Sequence, residues 1–358
     1  MSKNFLHRLP PIAADFSGAC STLVDWNVEV LLLSPGSCGK VVSQVDESRL
    51  NVNFLETEFN DLDIARGIND LLVDEINNAR NKEKKLVILG TPVTAFLGID
   101  YKIIEENVEN CITIPMNGFH TYKYGVSKTL FIVGKQILDL GNRVADHINI
   151  VGYTPLNLAS LDLLNEHIKI LEALGFKSSV IGRQGSSFGE TLNWVVSEEG
   201  IELARWMEDQ YKIPYIVGLP VGRQSTYKWL NELEKILNKD VTEIKKNYIA
   251  NITNNICFNK KVVVIGEQFI SNEIATCLKE DFGCKLIESI PYNDEIKIEK
   301  AAKWADICIC DSIYKPFFLN SKVKFIQVPY IALSGKYNKS NCKLLGNEGY
   351  KYLLRYLK

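Results

Sequence analysis

Cys38 lies between two glycines in the stretch Leu32 to Val42, LLSPGSCGKVV. A thiol on a glycine turn beside Lys40 has two readings. A neighbouring ammonium lowers a thiol's pKa and makes the thiolate that binds metal, and Gly36 and Gly39 would let backbone N–H groups approach its sulfur closely. The same residues also make an ordinary turn. A Walker phosphate loop is excluded, because Gly36 and Gly39 enclose only two residues and Val41 follows the lysine. Further along, Arg183 in GRQGSSFGE and Arg223 in GLPVGRQST each follow a short apolar run ending in glycine. A guanidinium there can grip a carboxylate bidentately, and both arginines are expected to converge on one cleft. A solvated Gly-Arg turn is the alternative for either. His120 in NGFHTY and His147 in ADHINI are possible ligands, although a histidine at a strand entrance is more often simply hydrogen-bonded.

These residues need strands and helices to hold them. KKLVILGT, HINIVGYT and KKVVVIGEQ are each a short apolar strand ending in glycine. Uninterrupted Val/Ile runs of this kind suit strands buried on both faces of a parallel sheet. LDLLNEHIKILEALG is helical by its apolar spacing and stops at Gly175, and KSSVIG follows as a strand. IPYIVG is the next strand, and LPVGRQSTYKWLNELEKIL the next helix, with Ser225 or Thr226 expected as its cap. VVVIG, CKLIESI, ADICICD and VKFIQVPYI then alternate with helical stretches. The pattern predicts an α/β protein of three Rossmann-like, doubly wound parallel-sheet domains at 18–145, 146–255 and 256–358, after an N-terminal segment 1–17. Lys245 to Lys261 reads as the connector into the last domain. No strand-glycine site continues as GxGxxG, so a dinucleotide site is expected only in a degenerate form.

Composition bounds the function. At 358 residues, with 46% hydrophobic and 23% charged residues, the chain has the make-up of a soluble protein of two or three domains. A net charge of -2 argues against a general nucleic-acid binder. No apolar run reaches the length of a membrane span, and the first twenty residues lack the apolar stretch of a signal peptide, so a cytoplasmic location is expected. Nine cysteines without a single CxxC pair exclude zinc-ribbon and thioredoxin signatures. Cys257, Cys277, Cys284, Cys308, Cys310 and Cys342 read as small buried hydrophobes.

The order of motifs carries further information. GAC (Gly18 to Cys20), SPGSCGK, LGTPVTAFLGIDYKII, IPMNGFHTYKYG, INIVGYTPLNLASLDLLNEHIKILEALGFKSSVI, IPYIVGLPVGRQST and a terminal NEGYKYLLRYL succeed one another along nearly the whole chain. The succession resembles the nitrogenase component 1 family and its relatives, which include cofactor-assembly scaffolds and tetrapyrrole reductases. The resemblance implies three Rossmann-like domains and an iron–sulfur cluster, of 4Fe–4S type, near a subunit interface. It also implies a partner subunit, either a sister component 1 chain or a second copy, and an ATP-dependent iron protein as electron donor. Cys20 matches the family's first cluster cysteine. Cys38 matches the second, although Ser-Pro-Gly-Ser-Cys stands where the family has His-Gly-Pro-x-Gly-Cys. Thr91, before Pro92, stands in place of the third cysteine.

The catalytic nitrogenase subunit also holds a large metal cofactor through a mid-chain cysteine and a late histidine. Here no cysteine lies between Cys111 and Cys257, and the last histidine is His167, so a dinitrogen-reducing subunit is not expected. The expected function is an electron-transferring or structural subunit of a nitrogenase-like oxidoreductase. The alternative is a non-redox scaffold or carrier for a metal cluster or tetrapyrrole.

Overall fold

The computed structural model describes residues 8–24, 26–35, 54–57, 59–66, 68–81, 83–138, 146–158, 161–183, 191–248, 259–319, 322–335 and 342–357. Twelve strands in these residues form three four-stranded sheets, each built from one continuous stretch of chain. The first holds β1 (Glu29–Leu32), β2 (Leu55–Glu56), β3 (Leu86–Leu89) and β4 (Cys111–Ile114). The second holds β5 (His147–Val151), β6 (Lys177–Val180), β7 (Leu192–Val195) and β8 (Tyr215–Val217). The third holds β9 (Lys261–Gly266), β10 (Leu286–Pro291), β11 (Ile307–Cys310) and β12 (Lys324–Gln327). All pairings are parallel.

The same strand order occurs three times. The sheets run β2-β1-β3-β4, β6-β5-β7-β8 and β10-β9-β11-β12, so the chain always starts centrally, steps to one edge, then crosses to the other side. That reversal leaves a crevice at the carboxyl ends of the first and third strands of each sheet, the usual ligand position of doubly wound folds. The expected doubly wound parallel architecture is therefore the observed one.

Side-chain alternation explains the unbroken apolar strands. In β9, Val263 and Ile265 enter the core shared with β1 and β7, whereas Val262 and Val264 enter a second core with Ile148, Trp194 and Ile309. In β1, Val30 and Leu32 join the shared core, while Leu31 and Leu33 pack in a third with Ile88 and Ile104. Both faces of the central strands are covered, so these strands are largely apolar at both parities. Cys277, Cys284, Cys308 and Cys310 are buried as expected; Cys342 is half-buried, and Cys257 falls outside the described residues.

Two helix readings need correction. The stretch expected as one helix from Leu161 is a short 3-10 turn, Leu161–Leu163, followed by the helix Asn165–Ala173. The helix Gly222–Leu237 has Val221 at its cap position and no side-chain cap of its own. Ser225 and Thr226 lie inside it. Its first N–H groups are met from the third sheet's layer instead, where Asp281 accepts from Arg223 N (2.7 Å) and Gln224 N (3.0 Å). An acceptor 57 positions away does the work of a local cap, so no local sequence signal could announce it.

Candidate functional site

In the first sheet, β1 and β3 are adjacent and parallel, with Leu32 level with Leu89. The segments that follow them, Leu33 to Pro35 and Gly90 to Thr91, therefore leave the sheet side by side. Thr91 Oγ1 donates to the Leu33 carbonyl at 2.8 Å, and Ser34 N donates to Thr57 Oγ1 at 3.0 Å. Thr91 also caps the helix Pro92–Leu97, with Thr94 completing a capping box. Its hydroxyl is thus committed to backbone rather than free for a ligand. Cys38 lies outside the described residues, three positions beyond Pro35.

Cys20 sits in the helix Asp15–Leu23 and has no exposed surface. This helix packs at backbone contact on the helix Tyr122–Ile137. A Cβ on Gly18 would lie 2.2 Å from the Tyr122 carbonyl oxygen, and one on Gly125 would lie 1.8 Å from that of Asp15. Two facing glycines permit the approach. One residue after Cys20, Ser21 Oγ accepts from Tyr122 OH at 2.9 Å, and Tyr122 OH is 2.8 Å from Thr154 Oγ1 beyond β5. Among the described residues no three His, Cys, Asp or Glu side chains group as a metal site. A 4Fe–4S cluster takes four ligands, so these residues alone do not fit one.

The two arginines separate. Arg183 follows β6 and Arg223 follows β8, the opposite edges of the second sheet. Three strand spacings put them about 14 Å apart at the sheet, so the expected convergence on one cleft is not met. Arg183 pairs through its backbone with Trp26, its guanidinium carbon lies 5.5 Å from the Tyr153 ring centroid, and with Ser21 and Thr22 it lines a small cavity. It stands beside the Cys20 helix. Arg223 spans two units instead: its Nε donates to Asn347 Oδ1 at 2.7 Å and its guanidinium lies 4.0 Å from the Tyr350 ring centroid. The histidines are also placed. His120 is exposed and stacks on Tyr124, while His147 Nε2 is 2.8 Å from Ser179 Oγ in the neighbouring strand.

Sequence reading missed a polar cluster where all three sheets meet. Glu198 and Glu199 follow β7, Glu267 follows β9, Tyr330 follows β12, and Lys123 begins the helix Tyr122–Ile137. Lys123 Nζ pairs with Glu198 Oε2 at 2.9 Å and with Glu267 Oε1. Burial works against its charge, but the carboxylates outweigh burial and raise its pKa. Glu199 is 4% exposed, and Asn157 Nδ2 donates to its Oε1 across 3.5 Å from the turn after β5. Burial pushes the Glu199 carboxyl up to about 7, with Lys123 opposing the shift and Glu267 adding to it. The Tyr330 hydroxyl and Asn157 Oδ1 are buried without a partner among the described residues. Beneath them Gly152, at φ 89°, and Gly200 bring the two loops to backbone contact, and Ser197 Oγ donates to Gly152 O at 2.7 Å. Asn157 and Glu199 thus straddle the crevice of the second sheet. The available signal was positional: carboxylates placed immediately after a strand end, as in VVSEEG and VIGEQ.

Comparison with known proteins agrees with this architecture. The family model for nitrogenase component 1 type oxidoreductases matches residues 27–312, which include Cys38 and Thr91 and begin after Cys20. A light-independent protochlorophyllide reductase subunit from Nostoc punctiforme is 22% identical over 274 residues, 64% of this chain and 53% of that protein. Its counterpart in Prochlorococcus marinus (strain NATL2A) is 23% identical over 208 residues, 50% of this chain and 40% of that protein. The chain thus spans about half or less of the length of these curated relatives. The solved structure of nitrogenase Cp1 at pH 6.5 superposes with a TM-score of 0.73 at 14% identity, covering 100% of this chain and 93% of that one. Cp1 at pH 5 gives 0.69, also at 14% identity, over 99% and 90% of the two chains. With three repeated sheets, a collinear set of motifs and a family model spanning most of its length, the chain belongs to the nitrogenase component 1 type oxidoreductase family.

Proposed function

We propose that the chain is a component 1 subunit of a nitrogenase-like oxidoreductase that holds an iron–sulfur cluster jointly with a second subunit. Cys20 and Cys38 would be its ligands from this chain. The observation that carries the proposal is the bond from Thr91 Oγ1 to the Leu33 carbonyl, which joins the strand end leading to Cys38 to the family's third cysteine position. With threonine there, this chain offers two thiolates where four ligands are usual, so a second copy or a sister subunit supplies the remainder. Such a cluster would accept and pass on single electrons when bound, from an ATP-hydrolysing iron protein. Arg183, beside the Cys20 helix, would meet an anionic group of a ligand in the cleft between the first and second units.

One observation favours the alternative of a non-redox scaffold or carrier. The Cys20 thiol is fully enclosed and the Thr91 hydroxyl is already bonded, an arrangement that also suits a chain which receives a cluster or tetrapyrrole without turning it over. The two readings separate by assay. Anaerobically reconstituted protein is mixed with an iron protein, ATP and protochlorophyllide or a related tetrapyrrole. Reduction that depends on ATP and on Cys38 supports the reductase; iron binding with no reduction supports the scaffold.

A further inference from the structure

The cluster of charges between the three sheets has a composition that plain packing does not explain. Three carboxyl groups, Glu198, Glu199 and Glu267, surround one cation, Lys123. Two of them are almost wholly enclosed, Glu199 and Glu267 at 4% each, while Glu198 reaches solvent. Lys123 directs its hydrogen bonds to Glu198 and Glu267. Glu199 feels that ammonium's field across a longer distance. A buried carboxylate without its own cation is costly, and the group keeps its proton instead. The groups facing Glu199 are Lys123 from the helix Tyr122–Ile137, Asn157 from the turn after β5, Glu267 after β9, and the Tyr330 ring after β12, with Tyr292 behind it at 5.9 Å. The unpartnered Tyr330 hydroxyl and Asn157 Oδ1 are polar atoms more than nine-tenths buried, left open beside this acid at the carboxyl ends of the strands.

We infer that Glu199 is the proton donor of this junction: a carboxylic acid stored neutral between the three sheets, whose conjugate base the Lys123 ammonium stabilises. The inference rests on the reductase reading for its acceptor. Each electron delivered to an organic substrate leaves a negative charge that a proton must neutralise. In the step assigned here the Glu199 O–H bond breaks and its electron pair stays on the carboxylate. The proton passes to the electron-loaded acceptor in the crevice, and solvent returns a proton past the exposed Glu198. The electrons come from the reduced iron protein of the proposed function, with ATP hydrolysis driving their delivery, so the step needs no further reductant. Lys123 is a positioning residue, since it acts through the Glu199 carboxylate.

Titration tests the assignment without turnover. Infrared difference spectra of the full chain, taken between about pH 5 and about pH 9, should contain neutral-acid carbonyl absorption from Glu199 and Glu273 that disappears with a midpoint of about 7, and the wild-type minus Glu199→Gln difference isolates the Glu199 band. The band should be missing in Glu199→Gln. In Lys123→Met its midpoint should move upward, because the carboxylate has lost its cation. A Glu199 that is ionised throughout this range overturns the inference, as does a midpoint that Lys123→Met leaves unmoved. Turnover is the second arm. With an iron protein and ATP, Glu199→Gln should lower kcat about 100-fold or more while KM and iron content stay near wild type, and Glu199→Asp should recover part of the loss. Wild-type kcat in Glu199→Gln contradicts the donor role. If the wild-type chain reduces nothing, the reductase reading falls and the donor role falls with it, while the titration still decides whether the junction holds a proton.

Discussion

Burial decides the charge state of single residues here, and stability should record it. Glu199 has a folded-state pKa of about 7 against an ordinary value of 4.5, so the folded protein holds a proton that the unfolded chain releases. Its neutral form favours folding fully below the unfolded value, and that contribution is lost as pH rises from 4.5 through about 7. The shift corresponds to about 3 kcal/mol. Glu273, raised to about 7 by burial and by Glu280, titrates in the same window, so wild type and variant must be compared. Denaturant unfolding should show Glu199→Gln gaining about 3 kcal/mol relative to wild type between acid and alkaline ends of this window. Parallel stability curves would refute the shift. His167 has the opposite sense. It is enclosed between Trp194 and Trp229, and burial lowers its pKa to about 3. Its neutral form contributes stability above the ordinary value of 6.5, and that contribution is lost as pH falls towards 3.

At the scale of elements, close approach and borrowed caps set the geometry. Gly125→Ala would place a Cβ 1.8 Å from the Asp15 carbonyl oxygen, so the helices carrying Cys20 and Tyr122 must move apart. A loss of about 1–3 kcal/mol is expected, read by thermal or denaturant unfolding, and wild-type stability would show that the contact is not needed. Asp281→Ala removes the acceptor of Arg223 N and Gln224 N, and should cost about 1–2 kcal/mol. Ser225→Ala, at the position first expected to cap, should cost less in the same measurement. These cases show what was legible in the sequence. The strands beginning at Leu86, His147, Tyr215, Lys261 and Ile307 were visible as short, largely apolar runs, whereas the edge strands beginning at Lys177, Leu286 and Lys324 carry polar positions and were read from their alternation with helices. β1, β2, β4 and β7 were not singled out. The Asp281 cap, the Arg223 strut to Asn347 and the Lys123–Glu267 pair join residues 57, 124 and 144 positions apart. Contacts at such separation exist only once the sheets have met, and no local pattern encodes them. The candidate ligands Cys20 and Cys38 rest on motif order rather than on local chemistry.

For the whole molecule, the threefold repeat puts one crevice at the carboxyl edge of each sheet. The first crevice carries Thr91 and the strand end before Cys38, the second Asn157 and Glu199, and the third Glu267 and Asp311. Asp311 orders its own crevice by accepting from Ile313 N at 2.9 Å and Tyr330 N at 2.7 Å. Under the proposed function, cluster chemistry and proton chemistry would fall in neighbouring crevices, which Tyr122 links through Ser21 and Thr154. If Cys20 and Cys38 are the chain's two cluster thiolates, association is a condition of cluster binding, and sedimentation should find iron only in species larger than one chain. The most direct test is iron and sulfide per chain after anaerobic reconstitution, measured on that sedimenting species for wild type, Cys20→Ala and Cys38→Ala. The expected result is about one four-iron cluster per two chains in a homodimer, lost in either variant while the fold persists. Iron-free wild-type protein, or iron retained in both variants, would contradict it.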